Sequence, residues 1–263
     1  MHLKKPKETP GAQHGPARIL RERLSDDRLE SLAREALERL SGGTPAGGAG
    51  AADPEILDAL TEALVAPGQY EAMRIARGLM ASGAGMERLY LDYLAPAARR
   101  LGVAWEESRL SFADVTVGTS RIYGIMMLLR RVHARAAGLK GRHAVFAAAP
   151  GEDHVLGVQM AADLFRQHGW EVTIRVGLDH ENLVNDPVIE ECGLIGLSAS
   201  GERSLPALIR LVIALRYANP EAFVLVGGNL VETEPALLRL TGADGLARDL
   251  PATIRRMERY LEA

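Results

Sequence analysis

The sequence predicts an α/β protein of two unlike halves, and three observations carry that prediction. From about residue 54 to residue 137, apolar residues recur at helical spacing. From residue 143 onward, short apolar runs alternate with amphipathic segments, the pattern of a parallel sheet covered by helices on both faces. A glycine-rich stretch, Ser41-Gly42-Gly43-Thr44-Pro45-Ala46-Gly47-Gly48-Ala49-Gly50, sets apart whatever precedes it as a detachable element. Three regions follow: an arm, helix and linker over 1–50, a helical-bundle cap over 51–140, and a sheet domain over 141–263.

Residues 1 to about 16 are polar and carry Lys4, Lys5 and Lys7, so they read as a loosely docked arm. Leu20, Leu24, Leu29, Leu32, Leu37 and Leu40 then predict a helix over 17–40. Asp53-Pro54-Glu55 is a strong helix start, with a capping carboxylate, proline at the first helical position and an acid in the first turn. Helices are expected at 54–65, 69–82 and 85–101, separated by Pro67-Gly68 and Ser82-Gly83. A fourth, 111–137, opens on Ser111-Phe112-Ala113-Asp114, a capping box. Four helices with short connections predict an antiparallel bundle.

Beyond it, strand-like runs fall at 143–149, 170–176, 193–198 and 222–227, with a weak fifth near 243–246. Helical segments lie at 155–168, 204–218, 233–241 and 250–262. Five such strands fit a flavodoxin-like (Rossmann-like) doubly wound parallel sheet, whose ligands bind at the carboxyl ends of the strands.

Composition narrows the function classes. The formal charge of −3 gives no electrostatic case for nucleic-acid binding. Cys192 is the single cysteine, which suits a reducing compartment. No apolar run approaches a membrane span, and the start lacks a signal-peptide core, so a soluble, cytoplasmic protein is expected. No Walker loop, zinc spacing or Ser-His-Asp order is present.

Three strand ends carry the candidate chemistry: Glu152-Asp153-His154-Val155-Leu156-Gly157, Ser198-Ala199-Ser200-Gly201, and Gly227-Gly228. Small residues at three such ends leave room for backbone to approach a large flat ligand. His154 with a carboxylate two residues before it is suited to ligate a metal while the carboxylate orients the ring. The plainer reading of His154 is a cap for the following helix.

The three strand ends together resemble the cobalamin-binding domains, whose pattern is Asp-x-His-x-x-Gly, then Ser-x-Leu, then Gly-Gly. Forty residues separate Gly157 from Ser198 and 26 separate Ser200 from Gly227, close to that family's spacing. The resemblance implies that His154 is the lower axial ligand of cobalt and Glu152 its orienter. It also implies that Ser198, Gly227 and Gly228 line the pocket of the nucleotide tail. The segment Leu101-Gly102-Val103-Ala104-Trp105-Glu106-Glu107-Ser108 resembles the family's helical cap, which implies that Trp105 covers the upper face of the corrin. An ordinary buried aromatic is the alternative for Trp105.

The departures are informative. Glu152 stands where the family's methyltransferases carry Asp, and Ser200 replaces the usual Leu. Val115 and Thr116 occupy the places of the Glu-His pair of adenosylcobalamin photoreceptors. Aquo- or hydroxocobalamin is therefore the expected form, with adenosylcobalamin the alternative. If the arm folds over the upper corrin face, His14 or His2 is a candidate upper ligand; the plainer reading of both is an unengaged tail residue. A cobalamin module without a DNA-binding domain resembles the AerR/PpaA-type antirepressors of purple photosynthetic bacteria. That resemblance implies a light-responsive regulator acting through a DNA-binding repressor. Haem held by His154, or a corrinoid shuttle subunit of a methyltransferase, are the alternatives. His133, His143, His168, His180, Arg130-Arg131 and Arg255-Arg256 read as structural or solvated, and Cys192 as a core residue.

Overall fold

The computed structural model describes residues 52–68, 70–132, 142–152 and 155–262. The arm with its helix and linker, His2, His14 and His133, the end of the fourth bundle helix, Asp153 and His154 lie outside the described residues.

The bundle starts where its first cap predicts. Asp53 Oδ1 accepts hydrogen bonds from the amides of Glu55 (3.0 Å) and Ile56 (3.5 Å), and α1 runs Pro54–Val65 behind it. Its buried residues Leu57, Leu60, Ala63 and Leu64 form one helical stripe facing the bundle core. Helix α2 spans Glu71–Ala81. The third helix begins as α3 (Met86–Arg88), widens into a π-helical segment (Leu89–Leu94) and continues as α4 (Ala95–Glu106).

This third helix runs past residue 101, where the spacing had ended it, because Gly102 is accommodated as a buried residue inside it. A Schellman pair ends it instead. The Arg109 amide donates to the Ala104 carbonyl and the Ser108 amide to the Trp105 carbonyl, both at 2.7 Å. Ser108 takes the left-handed position (φ 57°) usually held by glycine. The fourth helix, α5 (Phe112–Val132), opens on the expected capping box: the Ser111 amide donates to Asp114 Oδ2 (2.8 Å) and the Asp114 amide to Ser111 Oγ (3.3 Å). Gly118 lets α5 approach α4, since a Cβ there would lie 2.6 Å from Leu101 Cδ1.

The second half is β1 (His143–Ala148), α6 (Val155–Gln167), β2 (Glu171–Arg175), α7 (His180–Val184), α8 (Pro187–Glu191), β3 (Leu194–Ser198), α9 (Leu205–Ala218), β4 (Phe223–Gly227), α10 (Leu230–Thr233), α11 (Leu237–Thr241), β5 (Gly245–Leu246) and α12 (Leu250–Glu262). The strands pair in parallel in the order β2-β1-β3-β4-β5, the expected flavodoxin-like winding.

Two features differ from the pattern reading. The β2–β3 crossover contains α7 and α8, where no helix is expected from periodicity. Their caps are regular: Asp179 accepts from the Asn182 amide (2.9 Å), and Asp186, followed by Pro187, accepts from the Val188 amide (2.9 Å). The segment read as one helix over 233–241 is split between α10 and α11 around Pro235.

Strand alternation gives the sheet two apolar faces. Val145, Ala147, Ile195, Leu197, Val224 and Val226 pack with the crossover helices on one side. Phe146, Leu194, Phe223 and Leu225 pack on the other with α6, α12 and the bundle, so one continuous core joins the two halves. Cys192 is buried in the first of these, and burial pushes its thiol up to about 11.

A polar contact fixes how the bundle sits. Asp163 of α6 is buried and accepts from Tyr90 Oη (2.8 Å), Arg130 Nε (2.6 Å) and Arg166 Nη1 (3.1 Å). Arg130, expected on a solvated helix face, is therefore half of the joint between the halves. Arg256 likewise lies over the Phe223 ring, 5.6 Å from its centroid. Burial, then the charge of Asp163, pushes the Tyr90 hydroxyl far above the ordinary phenol range, so it is a permanent donor. Among the described residues no helix is long and apolar enough to cross a membrane.

Asp163→Ala leaves two guanidiniums and a phenol without their acceptor. It should lower unfolding free energy by about 2–3 kcal/mol, below the figure for a fully buried pair because both guanidiniums reach solvent. Tyr90→Phe should cost about 1 kcal/mol. Urea denaturation of the two variants measures both, and equal effects would contradict the ranking.

Candidate functional site

The carboxyl ends of β1, β3 and β4 are tied side to side by backbone hydrogen bonds. The Ala149 amide donates to the Ser198 carbonyl (2.9 Å), the Ala199 amide to the Gly227 carbonyl (3.1 Å), and the Leu230 amide to the Ala199 carbonyl (3.2 Å). Gly228 crosses this layer with φ +93°, and a Cβ on it would stand 2.3 Å from the Ala199 oxygen. Only glycine satisfies both the backbone angle and the approach.

Glu152 adds a side-chain tie. It is buried, and its Oε2 accepts from the Ser200 amide (2.6 Å) and from Ser204 Oγ (3.0 Å), which joins the loop after β1 to the loop after β3. Two hydrogen bonds to one carboxylate oxygen pin the two loops together. Ser200 Oγ is buried beside this tie and has no hydrogen-bond partner among the described residues.

In front of these loops lies a cavity with an empty volume of about 1020 Å³, part of it open to solvent. Leu156 and Gly157 of α6, Ser198, Gly227 and Gly228 form its wall at the strand ends. Phe146, Gly196 and Leu225 line it from the strands, and Leu250 and Thr253 of α12 flank them. Gly196 is small for a packing reason: a Cβ there would lie 2.7 Å from Phe146 Cδ1, so the phenyl ring occupies that space. The bundle contributes Leu91, Ala95, Ala98 and Arg99, one face of the third helix.

Five of the sequence-derived site residues, Leu156, Gly157, Ser198, Gly227 and Gly228, thus meet around one cavity. Glu152 and Ser200 stand behind it, bonded to each other. Val155 opens α6 without reaching the cavity wall. Trp105 sits in the last turn of α4, half-buried against the shared core, and is not brought to the cavity. Asp153 and His154 lie outside the described residues, as does His14. Among the described residues no cluster of three or more His, Cys, Asp or Glu side chains could hold a metal ion. Pattern reading missed Gly196, although a lone glycine inside an apolar strand marks a close approach. It also missed the bundle residues and Thr253, for which the sequence gives no local signal.

Comparison with known proteins agrees with this geometry. Two family models described as B12 binding domains match the chain, one over residues 142–254 and one over residues 56–130. An uncharacterized 20.5 kDa protein from the bchF–crtJ intergenic region of Rhodobacter capsulatus is 28% identical over 64% of this chain and 90% of its own length. Among solved structures, the monomethylamine corrinoid protein of Methanosarcina barkeri superposes with a TM-score of 0.61 and 16% identity, covering 78% of this chain and 98% of that one. At that identity the likeness shows the shared fold.

The glycine geometry yields a contrast. Gly228→Ala combines a left-handed backbone angle with a clash against backbone and should destabilise by roughly 3 kcal/mol. Gly151→Ala shares the positive angle (φ +78°) but has open space around the new methyl, so about 1 kcal/mol is expected. Thermal unfolding of the pair should keep that order.

Proposed function

We propose that this chain, which belongs to the B12-binding domain family, is a cobalamin-binding, light-responsive regulator that acts through a DNA-binding repressor. The observation that carries the cofactor reading is the cavity at the ends of β1, β3 and β4, where Leu156, Gly157, Ser198, Gly227 and Gly228 converge. These residues fit the group on three counts. The cavity is mainly apolar, the backbone at Gly228 tolerates no side chain, and Ser200 Oγ is a buried polar atom without a partner among the described residues.

Leu156, Gly157, Ser198, Gly227 and Gly228 would hold the nucleotide tail, and His154 would ligate the cobalt. When bound, the corrinoid would supply a cobalt–ligand bond that light or ligand exchange can change. Glu152 keeps the β1 loop in register with the β3 loop through Ser200 and Ser204. Asp163, Tyr90 and Arg130 hold the bundle against α6, and in this reading that joint is what the cofactor would bias. In this reading Trp105 serves the upper face only after the bundle shifts from the arrangement described here. The regulatory part draws support from the resemblance to antirepressors and from the Rhodobacter capsulatus relative.

The fold likeness to the monomethylamine corrinoid protein favours a second reading, a corrinoid shuttle subunit. A shuttle accepts a methyl group on cobalt from a partner enzyme; a regulator changes the DNA binding of a partner repressor. Haem in the same cavity, with His154 as its ligand, is the third.

Protein purified with hydroxocobalamin should show a visible spectrum that changes on illumination and differs in His154→Ala. An unchanged cobalt spectrum in His154→Ala would remove the lower-ligand assignment. A positive pyridine haemochrome from cells supplied with both cofactors would replace cobalamin with haem. Added to a repressor–DNA mixture, the illuminated and dark forms should shift DNA binding to different extents.

A further inference from the structure

Among the described residues, the cavity wall carries two charged side chains, Arg99 and Glu232. Glu232 is exposed on short α10, at the rim. Arg99 is half-buried on α4 and points its face of the helix into the cavity beside Ala95 and Ala98. Several other arginines of the bundle are matched, and Arg77 and Arg131, which have no partner among the described residues, are exposed to solvent. Arg100 pairs with Asp58, Arg130 with Asp163, and Arg88 with Asp92 (3.6 Å), while Arg121 donates to the carbonyls of Ala63, Leu64 and Ala66. Arg99 has neither a hydrogen bond nor an ion pair among the described residues. Burial lowers its guanidinium pKa below the ordinary value.

An unmatched guanidinium in a mainly apolar cavity costs stability unless an anion arrives to meet it. Its planar fork of donors suits phosphate oxygens better than a lysine would. The nucleotide tail of cobalamin carries one phosphodiester, a single negative charge on an otherwise neutral tail. We propose that Arg99 is the charge partner of that phosphodiester, so that the bundle as well as the sheet domain holds the cofactor. This rests on the cobalamin reading above. It goes further in giving the bundle a ligand contact on the tail side of the corrinoid, where Ala95 and Ala98 leave space for it.

Hydroxocobalamin and hydroxocobinamide, which lacks the tail and its phosphate, separate the two ideas. Equilibrium dialysis should show that Arg99→Met weakens hydroxocobalamin binding by about tenfold to a hundredfold. Hydroxocobinamide binding should stay within about twofold of wild type. Arg99→Lys, which keeps the charge, should recover most of the loss. The ligand-free melting temperature of Arg99→Met should equal or exceed that of wild type, since an unpaired desolvated charge has been removed. Equal hydroxocobalamin affinity in Arg99→Met overturns the inference. So does a parallel loss with both ligands and a lower melting temperature, which marks a structural role. Weakened binding of hemin with hydroxocobalamin unaffected assigns Arg99 to a propionate and overturns it as well. Wild-type protein that binds hydroxocobinamide and hydroxocobalamin equally well removes the tail contact but keeps the corrinoid reading. Wild-type protein that binds neither removes both.

Discussion

The buried carboxylate of Asp163 is the constraint on which the arrangement of the two halves depends. Tyr90 reaches it from the π-helical segment, Arg130 from α5 and Arg166 from its own helix. Such a network adds little net stability over a well-packed apolar substitute, but it is expensive to break one partner at a time. The apolar core shared by bundle and sheet supplies the adhesion, at roughly 25 cal/mol for each Å² taken from water. Adhesion of that kind has no preferred angle. The carboxylate does, because three donors from three places must converge on two oxygens.

The strand-end loops repeat this logic on a smaller scale. Glu152 draws the loop after β1 to the loop after β3, and the lateral amide bonds through Ala149, Ala199 and Leu230 finish the layer. That layer is close-packed, so the residues that cross it must be small. Gly228 is fixed by the Ala199 carbonyl behind it and Gly196 by the Phe146 ring beside it. The cavity is thus bounded by a rigid layer on the sheet side and by a helix on the bundle side. Binding residues placed on a rigid layer lose little entropy when a ligand arrives.

What was legible in the sequence was local or periodic. Asp53-Pro54 and Ser111 with Asp114 announce their helices because a cap is a contact between near neighbours. The strands announce themselves by apolar runs, and their order follows from the alternation of strand and helix. Helices α7 and α8 escaped because five residues make too few turns for a period to register, although Asp179 and Asp186-Pro187 marked their starts. The third bundle helix outran its expected end because a glycine that packs inside a helix looks the same in sequence as one that ends it. The joint at Asp163 was not legible at all. Its partners lie 73 and 33 residues away, and a pairing at that distance leaves no trace in spacing or composition. The same holds for Arg99, whose meaning comes only from the cavity it faces.

The joint and the cavity are connected through consecutive residues. Tyr90 and Leu91 belong to one π-helical turn; the first is held by Asp163, and the second lines the cavity. The wider turn is what buries Leu89, Tyr90, Leu91, Tyr93 and Leu94 together, where a regular helix would turn some of them to solvent. A ligand in the cavity therefore touches the turn that carries the tyrosine. The response is limited to whatever contact energy differs between the docked and undocked bundle. If Tyr90 stays on Asp163, the ligand must fit beneath Leu91 and Ala95. If it lets go, the phenol and Arg130 lose a shared acceptor while the cavity opens. Releasing the joint would cost those polar contacts, so only a ligand that binds the released bundle better can favour it.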